Sequence, residues 1–170
     1  MIELKRIKPE TISRAMAKAE RYRLLNEPRE SISICRDVLG VDPNHQEAIV
    51  TLLLSITDLF PSCDLQHHQE AESLVERLDD DYRRVYYDGV IAERWAKSKW
   101  KRHAPSHIVH EHLINAMSKY EQAASLSAAD NDDALMRWNT CARLLNEHPE
   151  IQARADEPFD AVVDEDMPIR

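Results

Sequence analysis

The chain has 170 residues, 43% of them hydrophobic and 31% charged, which is enough for one globular domain with its own core. Its net charge of −9 argues against general nucleic-acid binding, which needs basic surface to neutralise phosphates. Only two glycines occur, Gly40 and Gly89, whereas the tight turns of sheet proteins usually need glycine. No apolar run approaches the length that crosses a membrane. The composition therefore favours an all-α protein that binds neither nucleic acid nor a membrane.

The amino terminus and the cysteines bear on the compartment of the protein. The first ten residues lack the apolar core of a signal peptide, so cytoplasmic residence is expected. Cys35, Cys63 and Cys141 are odd in number and widely spaced, which argues against a disulfide framework and a zinc knuckle. We expect them to be free thiols, buried or half-buried in the core.

Seven segments carry the apolar spacing of amphipathic helices. Pro9 suits the opening turn of the first helix. The second has Asn26 as a candidate N-cap, Pro28 in its first turn and Gly40 after its last turn. The third is the most apolar and is therefore expected in the middle of the core, with Pro61 closing it.

The later helices are delimited by acidic residues and by proline. The aspartates at 79–81 suit the start of the fifth helix, where the helix dipole favours negative charge. That helix is expected to run to about Lys101, before a loop at 104–106. Short links between successive helices make neighbours antiparallel. We predict a helical domain over 1–154, an acidic extended or disordered tail over 155–170, hairpins over about 9–40, 44–79 and 81–127, and a closing helix over about 132–147.

Small and aromatic residues recur at regular spacing in the predicted hairpins. The first helix has Ala19 followed by Tyr22, and Pro43 falls 21 residues after Tyr22. The second helices of the first and third hairpins read Ser31-x3-Cys35-x2-Val38 and Ala116-x3-Tyr120-x2-Ala123. Over about residues 10–147 this pattern resembles that of tetratricopeptide repeats, in which small residues let neighbouring helices approach closely.

The resemblance implies about seven antiparallel helices stacked as hairpins in a short right-handed superhelix, with no β-sheet. The first helix of each hairpin would line a concave groove. Taking Ser31, Ala71 and Ala116 as equivalent gives spacings of 40 and 45 residues, against about 34 for the repeat. The excess fits longer helices and loops near 60–66 and 99–107.

A groove of this kind would have an apolar centre and cationic edges, which suits a protein or peptide of acidic character. Apolar burial would supply most of the affinity, while Arg23, Arg94 and Arg143 would orient acidic groups. The predicted peptide-binding residues are Arg23, Leu54, Tyr87, Val90, Arg94, Lys97, Asn139 and Arg143. Glycine-rich phosphate loops and GxSxG elbows are absent from the sequence. We therefore predict a binding scaffold or adaptor with no catalytic activity and no cofactor.

The stretch 94–103 places five cationic side chains and two tryptophans within ten residues. Three interpretations remain open. The cations complement the dipole at a helix end while the tryptophans pack against neighbouring hairpins. Alternatively the stretch binds an acidic peptide through charge-assisted and cation–π contacts, or it binds nucleic acid.

A histidine-rich segment supports a different function. The stretch 103–112 holds four histidines and Glu111, and on a helix His107, His110 and Glu111 share one face. Because metals accept such ligands, the alternative is a metal-binding helical protein or metalloenzyme. A structural subunit of a larger assembly is a third alternative. The adjacent histidines 67–68 are predicted to be surface residues.

Most of the net charge lies at the C-terminal end, since residues 147–170 hold eight acidic and two basic side chains. Within it, the stretch 156–166 also carries Phe159, Val162 and Val163. This stretch could occupy the groove of its own domain as an autoinhibitor, or it could dock into a neighbouring copy. A homodimer formed through the tail or the outer face is a further alternative.

Overall fold

The computed structural model describes residues 2–62 and 65–153, which form seven α-helices and two short 3-10 turns without any strand. The helices are α1 (Ile12–Leu24), α2 (Pro28–Leu39), α3 (Gln46–Asp58), α4 (Leu65–Val75), α5 (Asp81–Lys101), α6 (Ser106–Leu126) and α7 (Asp133–Glu147). The all-α prediction is confirmed. None of these helices has the length and hydropathy that a bilayer crossing requires.

Helices that follow one another in the chain pack against each other. The helix α1 packs on α2, α3 on α4 and α5 on α6, and α7 then packs on α6. The helices α1 and α3 also touch, as do α3 and α5, so the first members of successive hairpins adjoin. This is the predicted stack of helical hairpins, and it brings α1, α3 and α5 onto one surface.

Polar side chains cap two helices at their N-terminal ends. The Nδ1 atom of His45 accepts a hydrogen bond from the backbone N–H of Ala48 at 3.2 Å, at the start of α3. The Asp80 carboxylate accepts one from the N–H of Arg83 at 2.7 Å, at the start of α5. The second cap follows the prediction made from the aspartate run.

The turn between α1 and α2 differs from the prediction. Glu27, rather than Asn26, precedes the first residue of α2, and no side chain caps that helix. Asn26 instead has a φ of 60°, a left-handed conformation that asparagine adopts more easily than most residues. The assignment of Asn26 as a cap is therefore wrong: the residue reverses the chain after α1. Gly40 does follow α2 directly, as predicted.

Two hydrophobic clusters share α5. The first is built from α1 to α4, and eight of the thirteen residues of α3 are buried, which confirms its central place. Ile91 and Trp95 of α5 complete this cluster. The second is built from α5 to α7 and contains Ala92 and Ala96 from another side of α5. The helix α5 is thus the common wall of both cores.

Small residues lie where helices approach most closely. Ser31, Ala71 and Ala116, the positions aligned in the repeat, are all completely buried. At Gly89 the backbone of α5 lies so close to α6 that an added Cβ would be 2.8 Å from Cε1 of Tyr120. The ring of Tyr120 therefore packs directly on α5.

Both tryptophans of the cationic stretch pack inside the fold, as one of the three interpretations proposed. The Trp95 ring lies edge-on to Phe60 at 5.3 Å, and the Trp100 ring lies 4.4 Å from that of His148. The prediction that His68 is a surface residue is wrong. Its side chain is only 16% exposed, because its ring lies 4.5 Å from Trp95 and 5.8 Å from Phe60.

The cysteines that the structure describes are buried free thiols, as predicted. Burial raises the pKa of Cys35 to about 11 and that of Cys141 to about 12. Both thiols are protonated at neutral pH and are poor nucleophiles. Cys63 and the predicted tail over 155–170 lie outside the described residues.

Candidate functional site

Two of the predicted groove residues meet at one carboxylate. Asp58, the last residue of α3, accepts a hydrogen bond from Nε of Arg23 at 2.8 Å and from Nη1 of Arg94 at 2.5 Å. Arg94 Nη1 also donates to Oγ1 of Thr57 at 2.7 Å and to the carbonyl oxygen of Leu54 at 3.2 Å. This arginine–aspartate cluster, formed by Arg23, Asp58 and Arg94, joins α1, α3 and α5.

The arginine–aspartate cluster is largely shielded from water. Its three side chains are between 22% and 25% exposed. Burial lowers the pKa of Arg94, and the neighbouring Asp58 carboxylate opposes that shift. Arg94 nevertheless remains cationic, because the ordinary pKa of the guanidinium group is far above neutrality. The cluster therefore keeps one uncompensated positive charge, held in a fixed position on the surface where α1, α3 and α5 adjoin.

A second ionic cluster surrounds Glu93, whose side chain is completely buried. Its Oε2 accepts a hydrogen bond from the hydroxyl of Tyr120 at 2.6 Å. Its Oε1 accepts from Nζ of Lys97 at 2.5 Å and from Nη1 of Arg137 at 3.3 Å. This glutamate cluster, formed by Glu93, Lys97, Tyr120 and Arg137, joins α5, α6 and α7.

In the glutamate cluster, Tyr120 and Arg137 remain protonated at neutral pH. Burial, together with the Glu93 carboxylate, raises the pKa of Tyr120 well above its ordinary value, so its hydroxyl remains a donor. Burial alone would lower the pKa of Arg137, but the attraction of Glu93 outweighs it and raises that pKa. Two cations thus face one carboxylate, and this cluster also carries a surplus positive charge.

An open depression of about 200 Å³ lies beside both clusters, between the end of α3 and the C-terminal half of α5. We call it the cationic depression. Its lining residues are Thr57, Asp58, Pro61, Arg94, Lys97, Ser98 and Lys101. Three cationic side chains and one carboxylate therefore surround it, in a chain that is acidic as a whole.

The predicted apolar centre of the groove is only partly accessible. Leu54 and Tyr87 are half-buried and can offer apolar surface to a ligand. Val90 is 1% exposed and belongs to the second core cluster, so it has no surface to offer. Its assignment as a peptide contact is corrected accordingly: Val90 stabilises the fold.

The helix α7 also contributes a side chain that the sequence analysis did not single out. Asn139 and Arg143 are exposed, and the residue of α7 that reaches α5 is Arg137. The inward position of Arg137 could have been recognised in the sequence, because Arg137 lies three residues after Ala134 and four before Cys141. This spacing places it on the same stripe of α7 as those two residues, which are both buried.

The predicted metal-ligating side chains lie around a different depression. His107, His110 and Glu111 line an open space of about 460 Å³ with Ile108, Ile114 and Ala153. Within residues 2–62 and 65–153, no three histidine, cysteine, aspartate or glutamate side chains are arranged to hold a metal ion. The geometry of the described residues therefore gives the metal-binding alternative no support.

His112, in the same segment, is expected to make stability depend on pH. Burial lowers its pKa, Glu111 opposes that shift, and the neighbouring side chains of His68 and Lys99 lower the pKa further. The folded state then binds the proton more weakly than the unfolded state, so stability present above pH 6.5 is lost as the pH falls below it. In urea unfolding between pH 7.5 and 5, His112→Gln should reduce this loss.

The exposed histidine His103 provides the control for that measurement. His103→Asn, which suits the left-handed φ of 56° at this position, should leave the loss of stability unchanged. An identical pH dependence in the wild-type chain and in the His112→Gln variant would contradict the prediction.

Comparison with known proteins adds no relative to this description. Neither a family model, nor a curated protein, nor a solved structure matches the chain. The resemblance to tetratricopeptide repeats therefore rests on the residue pattern alone.

Proposed function

We propose that the protein is a tetratricopeptide-like scaffold that binds an acidic segment of another protein at the cationic depression. One observation carries this proposal: three cationic side chains converge on this depression in a chain with a net charge of −9. The overall charge repels acidic ligands, whereas the cations of this depression attract them. Such a contrast favours binding of an acidic segment at this surface.

The cations of the depression differ in mobility, which supports binding of this kind. Arg94 is already fixed by Asp58, Thr57 and the carbonyl of Leu54, so it loses little conformational entropy when a carboxylate arrives. Lys101, in contrast, is exposed and can follow the ligand. A fixed arginine beside a mobile lysine gives both directional and adaptable contacts.

The polar groups under the depression also favour binding over catalysis. The hydroxyl of Ser98 donates to the carbonyl oxygen of Phe60 at 2.8 Å, and Asp58 already accepts hydrogen bonds from two arginines. Both carboxylate oxygens of Asp58 are therefore engaged by arginines and are not directed at a ligand. The depression therefore offers cations to a ligand and no reactive group poised for proton transfer.

The substitution Lys101→Glu tests the proposed binding. Lys101 is exposed at the last residue of α5, so the fold should tolerate the change. The probe is a fluorescein-labelled peptide of alternating aspartate and leucine, titrated with the protein and followed by anisotropy. We expect about tenfold weaker binding, since reversing one charge near the ligand costs about 1.4 kcal/mol.

The control is Lys18→Glu, which changes the net charge equally but at a different depression, the one that Arg14, Lys18 and Arg21 of α1 line. It should alter the dissociation constant by less than about twofold at 0.15 M salt, because distant charges are screened. Failure of the wild-type protein to bind the peptide, or equal losses in both variants, would refute the proposed function.

A further inference from the structure

The described chain ends beside the C-terminal end of α5. Ile151 is 4% exposed and packs in the second core cluster, while the ring of His148 lies on that of Trp100. Ala153 then lies against the start of α6. The residues that follow therefore begin beside the start of α6, which a short loop joins to the C-terminal end of α5, where Lys101 lines the cationic depression.

The distance from this point to the cationic depression is short compared with the chain available. Residues 154–166 can span up to about 40 Å when extended, at about 3.3 Å per residue. The diameter of one helix with its side chains is about 10–12 Å. The chain can therefore pass around α5 and reach the side that carries Lys97 and Lys101.

The acidic segment 156–166 complements the charge of that surface. It contains six acidic residues and no basic one, together with Phe159, Val162 and Val163. The C-terminal end of α5 carries the densest group of cations: Arg94, Lys97, Lys99, Lys101 and Arg102. The depression beside Ala153 contains the carboxylate of Glu111 and neither lysine nor arginine. A further depression, lined by Arg14, Lys18 and Arg21, is cationic as well, but it lies on α1, whereas the described chain ends against α6, which packs on α5 and α7. Charge and proximity together therefore favour the cationic depression.

From these observations we infer that residues 156–166 bind in the cationic depression of their own chain. The carboxylates of this segment take the place of an acidic ligand at Arg94 and Lys101, and Pro61 offers adjacent apolar surface. The segment then competes with an external ligand for the same cations, a consequence that rests on the proposed function. Docking of the segment itself does not depend on it.

Zero-length cross-linking of the full-length chain tests the docking directly. A carbodiimide joins a carboxylate to a lysine amine only where the two are in contact, and peptide mass spectrometry then identifies the pair. We expect cross-links from residues 156–166 to Lys101 and Lys97. Cross-links only to distant lysines such as Lys18 and Lys119, or none from this segment, would overturn the inference.

Isotope mixing separates docking within one chain from docking between two copies. Equal amounts of ¹⁵N-labelled and unlabelled protein are combined before cross-linking at low micromolar concentration. Docking within the chain gives cross-linked peptides that are fully labelled or fully unlabelled. Pairs of mixed label in the statistical proportion would show that the segment binds a second copy, and that outcome would overturn the inference as stated.

The aspartate–leucine peptide measures the competition. In the full-length chain we neutralise four carboxylates of the segment with Asp156→Asn, Asp160→Asn, Asp164→Asn and Asp166→Asn. We expect the peptide to bind this variant about tenfold more tightly than the wild-type chain. In the wild-type chain the tether supplies the segment at an effective concentration of about 1 mM, which is about ten times a dissociation constant of about 0.1 mM for the segment. The control makes the same change of charge at exposed sites elsewhere: Glu3→Gln, Glu10→Gln, Glu30→Gln and Glu76→Gln.

The cross-linking and the peptide titration can refute the docking and the proposed function separately. If the peptide binds no form of the protein while Lys101 still cross-links to 156–166, the proposed function is lost and the docking stands. If the peptide binds equally to the tail variant and the control variant, and no cross-link reaches the depression, the inference alone is refuted.

Discussion

Replacing Glu93 with alanine is expected to lower the free energy of unfolding by about 3–5 kcal/mol. The wild-type carboxylate is completely buried and accepts hydrogen bonds from Lys97, Tyr120 and Arg137. Its removal leaves the buried Tyr120 hydroxyl without an acceptor and two cations facing each other across a cavity. Lys97 and Arg137 are about one third exposed, so hydration offsets part of the loss. Urea unfolding followed by circular dichroism measures the effect.

Two further variants separate the contributions to that loss. Glu93→Gln keeps the volume and an acceptor for Tyr120, so we expect it to cost about half as much as Glu93→Ala. Glu111→Ala makes the same truncation at an exposed position of α6 and should change stability by less than about 0.5 kcal/mol. A cost below about 1 kcal/mol for Glu93→Ala would show that the buried network contributes little.

Gly89→Ala is expected to destabilise the protein by up to about 2 kcal/mol, although alanine is the better helix former. The helix propensity of alanine favours the variant by about 1 kcal/mol. Against this, the new Cβ would lie 2.8 Å from Cε1 of Tyr120 and 3.2 Å from Cβ of Lys119. The Tyr120 ring cannot move away without losing its hydrogen bond to Glu93, so overpacking of about 1–3 kcal/mol outweighs the propensity gain.

The chain offers a matched control in its other glycine. Gly40 has a φ of −70°, and an added Cβ there would meet only carbonyl oxygens of its own helix, at 3.3 and 3.4 Å. Gly40→Ala should therefore be neutral or slightly stabilising in the same thermal and urea unfolding experiments. If Gly89→Ala were as stable as Gly40→Ala, the close contact between α5 and α6 would be refuted.

Most of the helical architecture could be predicted because local chemistry determines it. The apolar spacing located all seven helices, and Asp80 and Gly40 were found at the helix ends where such residues stabilise the termini. The turn at Asn26 was assigned incorrectly, since asparagine suits both an N-cap and a left-handed turn. Only the path of the chain after α1 shows whether Asn26 forms an N-cap or a left-handed turn.

The contacts of the site were harder to predict, because they join residues distant in sequence. Arg23 and Arg94 were expected on the same surface, but nothing local indicated that Asp58 lies between them. Likewise, the spacing within α5 did not reveal that Glu93 faces three partners from its own and two further helices. Polar residues inside an amphipathic helix look like surface residues until the opposing helix is known.

The position of α5 between the two cores has a consequence for how the protein unfolds. A row of repeats that touch only their neighbours can lose an end unit while the remainder stays folded. Here Glu93 and Arg94 are consecutive residues, yet one is bonded to α6 and α7 and the other to α3. Opening either half would expose the side of α5 that this half covers and break the hydrogen bonds that Glu93 or Arg94 makes with it. The described helices are therefore coupled into one cooperative folding unit, unlike a series of semi-independent repeats.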